Sequence, residues 1–206
     1  KFVVKEDNPG STSRMIYITA ENTQQAYNYI GGKSLYNCGT PSGILIDDPS
    51  CPVARVVSFN RPFLRYGDGE FYLREAPFVK WAENQGYVLE YATSIDLHSN
   101  PLLLKNYDVY IAVGHDEYWS YEMRKNVDDF LKSGGKVIIL SGNTMFRQVR
   151  LSDDLRTMYG YKSKALKEDP IALDGDPSND YLISFEFYKP PINDIETRSI
   201  GLGWFY

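Results

Sequence analysis

One run of the sequence is dense in reactive groups. Gly114-His115-Asp116-Glu117-Tyr118-Trp119 places an imidazole, two carboxylates, a phenol and an indole side by side. Imidazole and carboxylate are the usual groups of general acid–base catalysis. On an extended turn, His115 and Glu117 stand two residues apart, so their side chains point the same way and can reach one pocket. The structural alternative is that Asp116 or Glu117 only favours the N-terminus of the following helix, with His115 an ordinary loop residue. A second turn, Ser141-Gly142-Asn143-Thr144, invites a test for nucleophilic catalysis. It holds no cysteine, and Ser141 lacks the flanking glycines of a nucleophile elbow. Asn143 either orients or polarises a carbonyl or serves as a turn residue that tolerates an unusual backbone angle.

Both turns follow apolar runs, residues 107–113 and 137–140, which read as buried strands. In open parallel sheets, ligands gather beyond the carboxyl ends of the strands, so two parallel neighbours would bring the turns to one crevice. Residues 15–19, 55–59 and 87–92 read as further strands. Helices are expected after an Asn22-Thr23 cap, over residues 75–85 up to Gly86, and over residues 121–132 behind a Ser120 cap. In the last of these, Met123, Val127, Phe130 and Leu131 share a face. Residues 96–104 are a short helical or irregular piece, and residues 37–52 and 61–69 are loops. Strand and helix alternate from residue 75 to 146. The expected fold is therefore α/β: a mostly parallel sheet with helices on both faces. After Tyr161 the chain turns polar, with Pro170, Pro177, Pro190 and Pro191, and reads as loops and edge strands. Residues 1–5 read as a strand entered midway. The expected division is the end of a preceding segment, β-rich by the family resemblance described below (1–10), and an α/β domain (11–206) expected to be truncated at both ends.

The composition is that of a globular protein, 43% hydrophobic and 24% charged. Its net charge of −5 argues against a nucleic-acid partner. Its apolar runs are too short to span a membrane. Tyrosine is abundant at 17 residues; its phenolate suits hard metal ions. Cys38 and Cys51 share a Gly/Pro-rich loop, where a disulfide or two free thiols are both open.

A series of motifs resembles a known family. Asn22-Thr23-Gln24-Gln25-Ala26-Tyr27-Asn28, with Gln24 in place of the usual aromatic, is followed by Gly31-Gly32-Lys33-Ser34-Leu35-Tyr36 and Ser58-Phe59-Asn60-Arg61-Pro62. Asp96-Leu97-His98, the run from Gly114 to Trp119, Met123-Arg124, Ser141-Gly142-Asn143 and Tyr161-Lys162 continue it. In this order, over residues 1–170, they resemble the large subunit of N,N-dimethylformamidase and its relatives. The resemblance implies a class I glutamine-amidotransferase-like domain without a catalytic cysteine. It further implies one iron ion bound by two tyrosinates and a glutamate. Carried over by motif, Glu117 and Tyr36 are metal ligands, and the second tyrosine falls before Lys1. His115, Asn143 and Lys162 surround the metal: His115 to move protons and Lys162 to stabilise a developing oxyanion. Tyr27 is a spare candidate ligand, against its reading as a buried helix tyrosine with a hydrogen-bonded hydroxyl. The implied substrate is a small amide, with further domains or a second subunit as partners.

Two functions compete. One is a metal-dependent amidohydrolase, for which Tyr36 and a Glu117 oxygen should lie within about 5 Å to share a cation. The other is a non-catalytic module of the same fold that binds a ligand or glycan through its aromatic residues.

Overall fold

The computed structural model describes residues 3–41, 44–48, 50–63, 71–201 and 203. The chain begins its regular structure with β1 (Met15–Thr19) and α1 (Glu21–Tyr27). A small hairpin, β2 (Cys38–Gly39) and β3 (Leu45–Ile46), and then β4 (Val56–Ser58) follow. A π-helical turn, Phe71–Glu75, leads into α2 (Ala76–Asn84), then β5 (Glu90–Thr93) and α3 (Ser94–Ser99). Next come β6 (Val109–His115), β7 (Tyr118–Ser120), α4 (Tyr121–Lys132) and β8 (Lys136–Gly142). β9 (Arg147–Leu151) and β10 (Thr157–Tyr159) complete the strands.

The main sheet has the order β5-β1-β6-β8 and is parallel throughout. The expected pairing of the two apolar strands holds, with Ile111 opposite Ile138 and Val113 opposite Leu140. Helices flank both faces. Phe78, Val79 and Ala82 of α2 pack on Tyr17, Ile111 and Val113. Leu97 of α3 and Met123, Val127 and Phe130 of α4 pack on Ile16, Ile18, Tyr110 and Ala112. Each fully buried Leu, Ile, Val, Phe or Met among them contributes about 1.5–3 kcal/mol. The run 137–140 is not the buried strand expected: β8 is an edge strand whose outer face is uncovered, with Ile138 and Leu140 exposed. The Ser120 cap is present: its hydroxyl accepts from Met123 N at 3.2 Å.

A second sheet, absent from the sequence-based expectation, has the order β4-β10-β9-β7. β7 runs parallel to β9, and the other pairs are antiparallel. The stretch from Val109 to Ser120 thus leaves the main sheet at His115 and enters the second at Tyr118. Behind the second sheet lies its own core of Ala26, Leu35, Val57, Tyr118, Val149 and Met158.

Three local expectations are corrected. Residues 3–5 form no strand, while Lys1 and Phe2 lie outside the described residues. Asn22 and Thr23 do not cap α1, which begins at Glu21 behind Ala20. Both are buried inside the helix and tie it to its neighbours: Asn22 Nδ2 meets Met123 Sδ at 3.2 Å, and Thr23 Oγ1 accepts from Tyr118 N at 3.1 Å. Beyond Tyr161 the described residues form short helical turns (Ala165–Glu168, Pro170–Leu173, Thr197–Ile200) instead of edge strands. An isolated β-bridge, Arg147 to Glu186, and the Arg150–Asp169 ion pair link that region to the sheet. Of the expected loop 61–69, residues 64–69 lie outside the described residues. Cys38 and Cys51 are joined in a disulfide, and no helix among the described residues is long and apolar enough to cross a membrane.

Candidate functional site

The site forms where the chain passes between the sheets. Gly114 makes the exit: its φ is +89°, and a Cβ there would lie 2.9 Å from Arg74 Cβ. Only glycine meets both conditions without strain. Asp116 N then donates to Gly142 O, pinning the turn to the end of β8. Asp116 itself points into the core beside Glu75, where burial and the Glu75 charge push its carboxyl up to about 8. Glu117 faces the opposite way, toward α1 and the loop that follows it.

That loop is held by Arg61. Its guanidinium donates to the carbonyls of Gln25, Asn28, Ile30 and Lys33 at 2.8–3.1 Å. Ser34 Oγ accepts from Tyr36 N at 3.0 Å, which fixes the Tyr36 backbone. Tyr36 Oη consequently reaches Glu117 Oε1 at 2.7 Å across 81 residues of sequence. Tyr27, from the last turn of α1, stacks on Tyr36 with ring centroids 4.3 Å apart and donates to Glu117 Oε2 at 2.7 Å. Tyr118 Oη donates to Tyr36 Oη at 2.6 Å.

The other expected residues surround this centre. His115 Nε2 lies 3.2 Å from Glu117 Oε2 and 3.2 Å from Asn143 Nδ2. When Nε2 carries a proton it can donate to Glu117; when it does not, it can accept from the Asn143 amide. Either state has a partner. Asn143 has φ +56°, the unusual backbone angle that its reading as a turn residue expects. Lys162 Nζ sits 3.2 Å above the Tyr36 ring and donates to Leu35 O at 2.7 Å. Burial, then the charge of Arg147, pushes the Lys162 ammonium down to about 7. Thus Tyr36, His115, Glu117, Asn143 and Lys162 come together, and Tyr27 joins them.

Burial would raise the Glu117 carboxyl. Hydrogen bonds from His115, Tyr36 and Tyr27 and the charge of Arg147 outweigh it and draw it down to about 2. The phenols respond in the opposite sense. Burial and the Glu117 charge push Tyr36 up to about 12 and raise Tyr27 further. With the carboxylate alone beside them, both phenols keep their protons. A bound cation would reverse that balance by favouring phenolate. Among the described residues no group of three or more His, Cys, Asp and Glu is placed to hold a metal ion. Phenols dominate this donor set, and three oxygens from Tyr27, Tyr36 and Glu117 converge. As phenolates and carboxylate, such oxygens would be hard donors of the kind a hard cation takes.

Two charged residues of the site were not anticipated. Arg147 Nε donates to Glu117 Oε1 at 2.9 Å, and its Nη1 donates to Glu186 Oε1 at 2.6 Å. Neither falls in a dense motif; Arg147 opens a short strand and Glu186 lies in the irregular C-terminal part. Gln24 stands where the family motif usually has an aromatic residue. It lies under the turn, donating to Glu75 Oε1 at 2.7 Å, and is buried.

Fold and site together define an α/β protein with a tyrosine–glutamate centre beyond the carboxyl edge of a parallel sheet. A family model described as N,N-dimethylformamidase beta subunit-like, C-terminal, matches residues 1–205, so the chain belongs to that family. No curated protein matches the chain.

Proposed function

We propose that this chain is a metal-dependent amidohydrolase that cleaves the C–N bond of a small amide at an iron ion held by Tyr36 and Glu117. The observation that carries the reading is the convergence of two phenols, at 2.7 Å each, on the two oxygens of one buried, ionised carboxylate. Tyr27 is the further oxygen within reach. A bound iron would supply Lewis acidity, polarising the amide carbonyl and activating water. On this reading the scaffold is of the class I glutamine-amidotransferase type, with the cysteine-free turn Ser141–Thr144 beside the site.

The protein's own groups then divide the work. His115 takes and returns a proton at Nε2, since both of its protonation states are matched by a partner. Asn143 holds the ring in place and presents an amide to the crevice. Lys162, near neutrality in its pKa, supplies a positive charge or a proton as negative charge develops on the substrate oxygen. Metal analysis of the full-length protein, with turnover of N,N-dimethylformamide and simple amides, tests the reading. One iron per chain and amide cleavage that a chelator abolishes would support it; metal-free protein without turnover would overturn it.

A second reading has one observation on its side. Glu117 already accepts from Tyr36, Tyr27 and Arg147, with His115 Nε2 3.2 Å away, so the cluster is self-sufficient as a polar network. A ligand- or glycan-binding module would need no more than this. The same metal analysis separates the two.

A further inference from the structure

We infer that Arg147 is a positioning residue of the proposed iron site, a bridge that divides one guanidinium between Glu117 and Glu186 and so sets the orientation and donor strength of Glu117. The inference rests on the iron reading above and deepens it.

The bridge is built from backbone and side chain together. Arg147 N donates to the Glu117 carbonyl at 2.9 Å, where β9 meets β7. Its Nε donates to the Glu117 carboxylate at 2.9 Å. On the other side, residues 146–148 pair with 185–187: Gln148 N donates to Phe185 O at 2.7 Å, Phe187 N donates to Phe146 O at 3.2 Å, and Arg147 and Glu186 form a β-bridge. Glu186 Oε1 then takes Arg147 Nη1 at 2.6 Å. Both carboxylates are almost fully buried, at 3% and 5% side-chain exposure, and Arg147 is at 16%. Lys189 stands 3.8 Å from the second Glu186 oxygen.

This arrangement suits arginine in particular. Its planar fork presents Nε and Nη1 along fixed directions, so one side chain can satisfy two carboxylates that approach from different edges. The electrostatics are matched as well. Facing Glu117 alone, the guanidinium would withdraw much of the carboxylate's electron density. Glu186 on the far edge shares that pull. The donor strength of Glu117 toward a cation is therefore set by a residue, Glu186, that does not touch it. Outer partners of metal-binding carboxylates commonly act in this way.

The two ends of the bridge should move the site in opposite directions. The test uses the full-length protein loaded with Fe(III), and it reads the visible charge-transfer band from tyrosinate to iron. Arg147→Met frees Glu117 to donate more strongly, which makes the iron less acidic and shifts the band to shorter wavelength. Glu186→Gln leaves the whole guanidinium charge on Glu117 and shifts the band to longer wavelength. Arg147→Lys keeps a buried positive charge but cannot span both carboxylates; its shift is smaller than that of Arg147→Met, and it serves where the methionine variant fails to fold. In Arg147→Met, kcat falls about 10–100-fold. A purely structural role would leave the band unmoved or shift it the same way in both variants, and either result overturns the bridge. A wild-type protein without iron or band overturns the iron reading and the bridge with it. A wild-type band with unresponsive variants overturns the bridge alone.

Discussion

Tyr27 and Tyr36 stack on one another and donate to opposite oxygens of Glu117, each at 2.7 Å. A single carboxylate thus orders two phenols that come from different elements, the end of α1 and the loop after it. Glu117 is the point on which the centre depends. Glu117→Ala should lose iron and turnover together. His115→Ala should retain the iron and lower kcat by about 10²–10⁴-fold, as expected for loss of a general acid or base. Metal content and amide turnover of both variants provide the check. Loss of iron in His115→Ala as complete as in Glu117→Ala would make His115 a ligand instead.

The two tyrosines should not be equivalent. Tyr36 has Lys162 above its ring and Tyr118 on its hydroxyl, whereas Tyr27 bonds Glu117 from the helix side. Tyr36→Phe is expected to abolish iron binding. Tyr27→Phe is expected to weaken it by about 10–100-fold, the usual cost of removing a supporting partner. Competition with a chelator measures both. Equal losses would put Tyr27 on the same footing as Tyr36.

Glu90 offers a test of the scaffold away from the site. Its buried carboxylate accepts the backbone N–H groups of Gly10, Thr12 and Ser13 at 2.8 Å each, and also the Tyr107 hydroxyl. Burial raises its pKa, but these four donors prevail and lower it. A depressed carboxylate contributes stability that is complete above the unfolded value of about 4.3. That contribution is lost as pH falls through the folded value. Glu90→Ala should cost about 1.5–3 kcal/mol at neutral pH, with the gap to wild type narrowing in acid. Urea unfolding at several pH values reads this directly; a gap that widened in acid would refute it.

Gly114 tests the exit from the main sheet. Its positive φ and the approach of Arg74 both oppose a side chain. Gly114→Ala should destabilise the protein by about 1–3 kcal/mol and impair turnover, because His115 is the next residue. Equilibrium unfolding and kinetics of the variant provide the measurement. Wild-type stability would mean the turn relaxes freely.

The readable parts of the sequence were those governed by local pattern. The apolar runs of β1, β6 and β8 and the capped α4 announce themselves through periodicity and Ser120. From these the parallel pairing of β6 with β8 follows, and with it the shared edge that gathers His115 and Asn143. The second sheet was hidden because its strands are short. β7 has three residues, Tyr118–Ser120, and reads as part of a turn. Asn22 and Thr23 misled because their cap-forming side chains are spent on tertiary partners. Arg147 and Glu186 carry no local signal; they matter only because the fold brings residues 117, 147 and 186 together. The pairing of Tyr36 with Glu117 was reached through family motifs, since no periodicity links positions so far apart.

The passage of one stretch, Val109–Ser120, through both sheets bears on how the protein comes apart. Neither sheet can melt without pulling on His115 and Glu117, so their unfolding should be a shared, cooperative event. A cation held by Tyr36 and Glu117 would bind only when both sheets are in place. By mass action it would then stabilise the whole molecule, and the midpoint of thermal unfolding would rise with free iron concentration. The centre would thus double as a cross-link between the N-terminal loop and the strand that joins the sheets.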